Sequence, residues 1–296
     1  MVLDGANALA LPTKFGQSLE AEPIDEPKII WKGIDINGNI WLDFTFSTNE
    51  ILKDKNKNTS SLKTANRIYK KEESRLISIL KEAQKLNPNF INSRSGFRVT
   101  TKLDFPRNWG LGSSSTLINN IASWAKIDAF TLLKNTFRGS GYDIAAAQNN
   151  KPILYSFINK TPIVGEINLN WSFTNQLFFV HLNKKQNSRD AIKNYHLQKE
   201  NSSELKRKIS QLTIQFTICN TISQFDSLVT KHEQIISEII KQKTVKDRLF
   251  NDYQGSIKSL GAWGGDFILA TGDEDSRDYF RKKGYHTILS FKEMIL

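Results

Sequence analysis

Two apolar runs near the start of the chain are separated by a turn-forming pair. The runs span 29–36 and 39–46, and the pair is Asn37-Gly38. Because Asn and Gly tolerate the positive φ angles of a tight turn, this spacing predicts a β-hairpin. A polar loop over 53–61 follows, and apolar residues then recur with helical spacing over 61–86.

The rest of the first half alternates between strand-like and helix-like patterns. Asn87-Pro88-Asn89 is expected to end the first helix, because proline cannot continue its hydrogen bonding. The pattern then predicts a strand over 93–105 and a Gly/Ser turn over 110–115. Three helices are predicted after the turn: one that begins at Thr116, one over 128–137 and one over 143–149.

The second half begins at a predicted domain boundary beside Pro152, which divides the chain into 1–152 and 153–296. Its predicted strands are 153–158, 163–169, 176–182, 267–271 and 285–289. Its predicted helices are 203–242 with a break near 220–223, 246–260 and 273–283. This alternation predicts an α+β or α/β protein.

Composition narrows the class of protein. Hydrophobic residues make up 39% of the 296 residues, which is enough for a packed core and excludes wholesale disorder. A single cysteine, Cys219, excludes a disulfide framework, and the four histidines lack metal-ligand spacing. Because no apolar stretch reaches the roughly 18 residues of a membrane helix and no signal-peptide pattern occurs, we expect a cytoplasmic protein.

The net charge of +11 favours anionic partners such as nucleic acid or phosphorylated small molecules. The basic residues are spread along the chain, some are interleaved with acidic ones, and no stretch alternates aromatic with basic residues. A solvated basic surface accounts for this distribution. The charge alone therefore does not identify a nucleic-acid-binding protein.

Residues 106–115 form a glycine–serine segment between a predicted strand and a predicted helix. Gly110 and Gly112 allow backbone N–H groups to turn towards a ligand, and the helix start adds unpaired N–H groups and the positive end of its dipole. Such a segment suits phosphate, with serine hydroxyls as further ligands for phosphate or magnesium, although an ordinary serine N-cap has the same pattern. It lacks the lysine of a Walker A loop.

Two further glycine-rich segments carry candidate chemistry. Gly139 and Gly141 precede Asp143 at the start of a predicted helix, where the carboxylate is either a helix-terminal charge or a base beside a cleft. Residues 261–265 include three glycines between a predicted helix and a predicted strand. They form either a tight connection or a second backbone wall against a phosphate.

The order and spacing of these segments resemble the GHMP kinases, the superfamily of galactokinase, homoserine kinase, mevalonate kinase and phosphomevalonate kinase. Residues 106–114 match its P-x-x-x-G-L-G-S-S motif, residues 140–143 its S-G-x-D type of aspartate motif, and residues 261–265 its third motif. The run Gly-Tyr-Asp-Ile-Ala at 141–145 looks like the signature of the bacterial GYDIA-type subgroup. Residues 2–6 match the stretch after the family's first strand.

The resemblance implies an α+β fold with a ribosomal-protein-like N-terminal domain, a ferredoxin-like C-terminal domain, and an active site between them. It implies a loop that cradles ATP phosphates, with Ser114 also ligating Mg²⁺, and an aspartate, Asp143, that accepts or orients the proton of the substrate hydroxyl. The third motif is expected to support the loop. The loop residues are Gly110, Leu111, Gly112, Ser113, Ser114 and Ser115, and the third motif is Gly261, Ala262, Trp263, Gly264 and Gly265.

A fourth segment, residues 184–189, looks like the N-[ST]-R loop of mevalonate kinases, which faces the phosphate acceptor. Ser188 and Arg189 would then help to hold an anionic substrate, because arginine binds carboxylate and phosphate through paired hydrogen bonds. A basic surface turn explains the segment equally well. The segment favours mevalonate as acceptor, whereas the spacing around Asp143 also looks like that of phosphomevalonate kinases.

The chain departs from the family pattern at three places. Met1 falls inside the region that contains the family's first strand and the G-E-Y or G-E-H element after it. We therefore expect that strand and its lysine to be missing, either from a truncated gene product or because an internal Met is taken as the start. No glutamate lies between Ser115 and Asp143 as a further magnesium ligand, and Asp128 is the one acidic residue there. Asn108-Trp109 replaces small loop residues, and the third motif is altered at Trp263 and Asp266.

The sequence therefore predicts an ATP- and magnesium-dependent small-molecule kinase, a monomer or homodimer with no nucleic-acid or membrane partner. Mevalonate, in isoprenoid precursor synthesis, is the expected acceptor, and phosphomevalonate is the alternative. Two other classes compete with an active kinase, a catalytically impaired scaffold that binds nucleotide and a nucleic-acid-binding domain. The retained Asp143 and Ser114 oppose the first, and the phosphate-loop motif opposes the second.

Overall fold

A computed structural model describes residues 1–52, 71–137, 139–184, 195, 203–261 and 266–296, and confirms an α+β protein. The strands are β1 (Ala8–Ala10), β2 (Gln17–Ile24), β3 (Lys28–Ile34), β4 (Ile40–Ser47), β5 (Gly96–Leu103), β6 (Ile153–Ile158), β7 (Thr161–Glu166), β8 (Leu177–His181), β9 (Ile257–Ser259), β10 (Phe267–Thr271) and β11 (Ile288–Ser290). The helices are α1 (Asn49–Leu52), α2 (Lys71–Leu86), α3 (Ser113–Ala125), α4 (Ala129–Thr136), α5 (Tyr142–Ala147), α6 (Ser203–Ile218), α7 (Ile222–Ile240), α8 (Val245–Leu249), α9 (Glu274–Lys282) and α10 (Phe291–Met294).

These elements group into two compact units, each with its own core. The first unit combines residues 1–15, 107–111 and 148–296, and the second combines 16–106 and 112–147. The glycine–serine loop thus contributes its first half to one unit and its second half to the other. The functional division of the chain at residue 152 stays a prediction.

The second unit is built on a sheet with the strand order β2-β5-β3-β4. The predicted hairpin is confirmed, because β3 and β4 pair antiparallel and Gly38 in their connection has a φ of 82°. β3 and β5 run parallel and adjacent, so the chain between them crosses over through α2. The apolar face of α2, including Leu80, joins α3 and α4 in one buried cluster with the sheet.

The helix limits in this unit follow from local chemistry. α2 ends at Leu86, directly before the predicted stop at 87–89, and the part of the predicted helix before Lys71 lies outside the described residues. The helix predicted from Thr116 begins three residues earlier, at Ser113, because Gly112 takes a left-handed φ of 76° and caps it. Asp128 caps α4 by accepting a hydrogen bond from the backbone N–H of Thr131 at 2.7 Å.

The first unit contains two sheets, with the strand orders β1-β6-β7 and β11-β8-β10-β9. Every residue of β8 and of β10 is buried, as expected of strands covered on both faces. Helices α6 and α7 follow each other in sequence and pack together, and the break between them is at the predicted place near 220–223. Strands β6 and β8 match the predicted strands to within one residue at each end, whereas β7 begins two residues and ends three residues before the predicted strand over 163–169.

One predicted element has the wrong type of secondary structure. Residues 246–260 are not a continuous helix, because α8 ends at Leu249 and the chain turns and enters β9. A side chain at Gly255 would overlap the carbonyl of Thr271, and the Tyr253 hydroxyl donates a hydrogen bond to that same carbonyl at 2.7 Å. These contacts, which involve a distant strand, favour an extended chain over the local helical pattern.

Other differences lie at the ends of the chain and of its elements. Strands β1 and β2 and the last helix, α10, were not predicted, and β11 begins three residues later than the predicted strand over 285–289. Within the described ranges, no helix has the length and hydrophobicity needed to span a bilayer.

Candidate active site

The first half of the glycine–serine loop packs against the residue that follows the third glycine motif. Gly110 has a φ of 69°, and a β-carbon built on it would overlap the carboxylate of Asp266. Only glycine avoids both the left-handed strain and this overlap. Two motifs that are about 150 residues apart in sequence therefore meet within the first unit.

Trp109 anchors this half of the loop to the apolar core of the first unit. Its ring meets Phe15 and Phe267 edge-on, with ring centroids 5.3 and 5.5 Å apart. The His181 ring lies beside it at 6.4 Å, and the Nε2 atom of His181 is 3.2 Å from the carbonyl oxygen of Asn108. The large side chain at 109 thus serves as an anchor for the main chain of the loop.

The second half of the loop forms the N-terminus of α3 in the second unit. The carbonyl of Gly112 accepts hydrogen bonds from the backbone N–H groups of Ser115 and Thr116, at 2.8 and 3.0 Å. Among the described residues, no atom beyond the chain neighbours of Gly112 lies within 4 Å of the position of a β-carbon on it, and no described side chain caps the helix. The backbone N–H groups of Ser113 and Ser114 point to no acceptor among the described residues, so this helix end is suited to an anion.

The surroundings of this helix end favour an anion further. The first turn of α3 contains no acidic residue, and the side chain of Ser114 is exposed to solvent. Gln17 on β2 accepts hydrogen bonds from Thr116 Oγ1 at 2.9 Å and, through its backbone carbonyl, from Asn120 Nδ2 at 2.7 Å. These bonds fix α3 on the sheet, so its N-terminus is positioned before a ligand arrives.

Asp143 lies in the first turn of α5, a helix that packs against α3 in the same unit. Part of its side chain is open to solvent, yet the surrounding protein desolvates the carboxylate and raises its pKa above the usual range. The hydroxyl of Tyr142 donates a hydrogen bond to this carboxylate, which lowers the pKa and opposes part of the rise. The charge of Asp143, burial and this bond together raise the pKa of Tyr142 well above its usual value.

The strand that leads to the third motif is fixed by a buried carboxylate. Glu233 on α7 accepts hydrogen bonds from Ser259 Oγ at 2.7 Å and from Lys258 Nζ at 3.0 Å. Burial alone would raise the pKa of Glu233, but the charge of Lys258, the hydrogen bond from Ser259 and the nearby His232 ring, 3.6 Å away, lower it to about 2. Gly261, two residues after Ser259, is exposed with a left-handed φ of 59°.

Several predicted site residues lie outside the described residues. They are Ala262, Trp263, Gly264 and Gly265 of the third motif and Ser188 and Arg189 of the predicted substrate loop. Among the predicted residues that are described, Gly110 and Leu111 pack with the first unit, whereas Gly112, Ser113, Ser114, Ser115 and Asp143 belong to the second. Their assignment to phosphate, magnesium and proton transfer stays a prediction.

The residues present fit a magnesium ion that is held mainly by the phosphate oxygens of a bound nucleotide and by water. In the described ranges, no group of three or more His, Cys, Asp or Glu side chains is placed to hold a metal ion. Mg²⁺ in nucleotide sites keeps several waters and needs only one or two protein ligands beside phosphate oxygens. The exposed hydroxyl of Ser114, next to the open end of α3, matches this requirement for few protein ligands.

Sequence reasoning missed two contributors to this site. His181 is an isolated histidine in an apolar strand, and nothing in its sequence neighbourhood links it to Asn108, 73 positions away. Tyr142 lies inside the aspartate motif, but its hydrogen bond to Asp143 depends on side-chain orientation. The available signals were Trp109, which replaces a small residue of the loop motif, and Asp266, which alters the third motif.

Comparison with solved structures identifies the fold. The chain is similar to the mevalonate kinase of Methanococcus jannaschii, with a TM-score of 0.67 and 16% identity over 97% of this chain and 92% of that chain. It is similar to the L. major mevalonate kinase in complex with R-mevalonate, with a TM-score of 0.61 and 14% identity over 98% and 90% of the two chains. It is also similar to the galactokinase of Lactococcus lactis in complex with galactose, with a TM-score of 0.62 and 12% identity over 100% of this chain and 89% of that chain.

These structures are GHMP superfamily kinases, and this chain has the GHMP kinase fold. The fold expected from the motif resemblance is therefore confirmed. No protein-family model matches the sequence, and no curated protein matches it. Because the fold is shared by kinases of mevalonate and of galactose, it does not select an acceptor.

Proposed function

We propose that the protein is a phosphotransferase that uses ATP to phosphorylate a small molecule. The observation that carries this proposal is the open N-terminus of α3, whose first N–H groups have no acceptor among the described residues. It lies in the same unit as the Asp143 carboxylate, which belongs to the helix packed against α3. An anion site and a base on two helices in contact are what phosphoryl transfer requires, because its chemistry is mainly positioning and charge neutralisation.

Each residue has a defined part in this proposal. The backbone N–H groups of Ser113 and Ser114 and the positive end of α3 bind phosphate oxygens. Asp143 accepts the proton of the substrate hydroxyl, and its raised pKa makes it a stronger base than an ordinary aspartate. Bound Mg²⁺ would neutralise phosphate charge, with the Ser114 hydroxyl as its protein ligand.

We propose mevalonate as the acceptor, with phosphomevalonate as the alternative. The support is the resemblance of residues 184–189 to the substrate loop of mevalonate kinases, together with the structural similarity to a mevalonate kinase bound to R-mevalonate. The similarity to a galactokinase bound to galactose makes a sugar the main competing acceptor. A nucleotide-binding scaffold without turnover is the competing function.

The test is ATP consumption with mevalonate, phosphomevalonate, homoserine and galactose, each with and without Mg²⁺. Turnover with one acceptor, lost in Asp143→Asn and retained in Asp128→Asn, would support the kinase and name its substrate. ATP binding without turnover on any acceptor would favour the scaffold instead. Absence of ATP binding would contradict both functions.

A further inference from the structure

His181 is a buried histidine that the proposed chemistry does not use. It is the last residue of β8 and only 3% exposed. Its backbone N–H donates a hydrogen bond to Thr287 at 3.0 Å, and in the sheet register it is opposite Phe267 on β10. The chain segments on both sides of β8 therefore fix the backbone position of His181.

The imidazole ring contacts the first half of the glycine–serine loop, which the proposed function assigns to phosphate binding. The Nε2 atom lies 3.2 Å from the carbonyl oxygen of Asn108, and the ring centroid is 5.0 Å from that of Phe267. Because a carbonyl oxygen only accepts hydrogen bonds, this contact requires a proton on Nε2. The ring thus offers one directed donor to a main-chain atom of an otherwise exposed segment, since Arg107, Asn108 and Gly110 are exposed.

The atom that His181 holds lies two residues before the tightest point of the loop. Gly110 must combine a φ of 69° with close packing against Asp266. Trp109, between them, is held by ring contacts, and among the described residues no main-chain hydrogen bond joins it to the sheet. The Asn108 carbonyl therefore supplies the polar restraint on the path of the backbone.

We propose that His181 is a positioning residue for the phosphate loop, which it holds through the hydrogen bond from Nε2–H to the Asn108 carbonyl. This inference rests on the proposed kinase function and deepens it. A loop that is ordered before the nucleotide binds loses less conformational entropy on binding. Removal of this hydrogen bond should therefore weaken the affinity for ATP and leave the rate of the chemical step unchanged.

Three variants separate the hydrogen bond from the packing. His181→Phe keeps an aromatic ring and removes the donor, whereas His181→Gln places an amide N–H where Nε2 was. Val180→Ala is the matched control, because Val180 is the neighbouring buried residue and packs in a different apolar cluster from the one that Trp109 joins. It lowers stability through a cavity without touching the loop.

The first measurement is amide hydrogen exchange over residues 108–112 without nucleotide, which does not depend on any kinase activity. We expect faster exchange in His181→Phe than in wild type, and wild-type exchange in His181→Gln and Val180→Ala. Exchange that is unchanged in His181→Phe, or raised equally in Val180→Ala, would overturn the inference.

The second measurement is the steady-state kinetics of the same proteins with ATP. A hydrogen bond of typical net strength corresponds to roughly a five-fold change, so we expect KM for ATP to rise about five-fold in His181→Phe with kcat little changed. His181→Gln should restore KM. An equal fall in kcat and kcat/KM would contradict a positioning role. If wild type shows no turnover while the exchange results hold, the proposed function fails and the positioning of the loop stands.

Discussion

The carboxylate of Asp266 occupies the space where Gly110 would carry a β-carbon. Two residues further on, Gly112 has a similar left-handed φ, 76° against 69°. In the described part of the chain, however, nothing beyond its chain neighbours lies within 4 Å of its missing β-carbon. The two glycines therefore face the same conformational requirement and differ in tertiary packing. Substitutions at these two glycines can therefore separate the cost of backbone strain from the cost of disturbing the contact between the two motifs.

We expect Gly110→Ala to destabilise the protein more than Gly112→Ala. Gly112→Ala should cost only the left-handed strain of a non-glycine residue, about 1–2 kcal/mol. Gly110→Ala adds the overlap with Asp266, and overpacking of this kind costs roughly another 1–3 kcal/mol. Urea unfolding of both variants measures the difference, and Asp266→Ala in the Gly110→Ala background should recover the added part. Equal losses in the two single variants would show that the contact is unimportant.

Asp143→Asn tests the assignment of the base. We expect kcat to fall by about 10²–10⁴, the usual contribution of a general base, with little change in affinity for a non-hydrolysable ATP analogue. Asp128→Asn is the control, because Asn also caps a helix and Asp128 serves as the N-cap of α4. A kcat equal to wild type in Asp143→Asn would remove this residue from the mechanism.

The hydroxyl of Tyr142 is expected to set the pH at which Asp143 becomes active as a base. Its hydrogen bond lowers the pKa of Asp143, against the rise caused by desolvation. Tyr142→Phe removes the bond, so the pKa of Asp143 rises further and the acid limb of the kcat/KM profile moves to higher pH. A limb that stays in place, or that moves to lower pH, would show that another group controls it.

Elements with regular patterning were predictable from sequence because their local preference and tertiary environment agree. The hairpin around Gly38 is one case, and the Asp128 cap followed by the apolar positions of α4 is another. Residues 246–260 show the opposite case. Their apolar spacing permits a helix, but Gly255 and Tyr253 are held against Thr271, a contact that no local pattern contains.

The motifs of the candidate site were visible in sequence for a different reason. Their glycines, serines and aspartate resemble the GHMP kinase motifs in order and spacing, so they can be recognised from the sequence without the fold. The residues that hold these motifs in place belong to no such motif. His181 and Asp266 act through their positions in the folded chain, and each makes its contact with a loop residue far away in sequence.

Ser114→Ala tests the magnesium assignment. If its exposed hydroxyl is a protein ligand of Mg²⁺, the variant should weaken ATP binding in the presence of Mg²⁺ and leave metal-free binding unchanged. Ser113→Ala is the matched control, since it removes the neighbouring hydroxyl from the same helix turn and leaves the backbone N–H groups in place. Calorimetric titrations with and without Mg²⁺ provide the comparison. A magnesium dependence equal to that of wild type in Ser114→Ala would exclude the role.

The buried cluster of Glu233, His232 and Lys258 should make the protein lose stability in acid. The pKa of Glu233 is lowered from 4.5 to about 2, so its stabilisation is complete above pH 4.5 and is lost as the pH falls towards 2. Burial and the charge of Lys258 lower the pKa of His232 from 6.5 to about 4, so its neutral form stabilises the fold above pH 6.5, and this is lost between 6.5 and 4.

Glu233→Gln should remove the part of this acid dependence that lies below pH 4.5 and keep the part above it. At pH 7 it breaks a buried ion pair and leaves Lys258 without its carboxylate, which we expect to cost about 3–5 kcal/mol of unfolding free energy. Glu274→Gln is the control, because Glu274 is 60% exposed and its ion pairs with Arg277 and Arg281 are screened by solvent. Unfolding free energies from pH 7 to pH 3 test both variants. A Glu233→Gln protein that loses stability as steeply as wild type below pH 4.5 would show that this carboxylate does not govern the acid response.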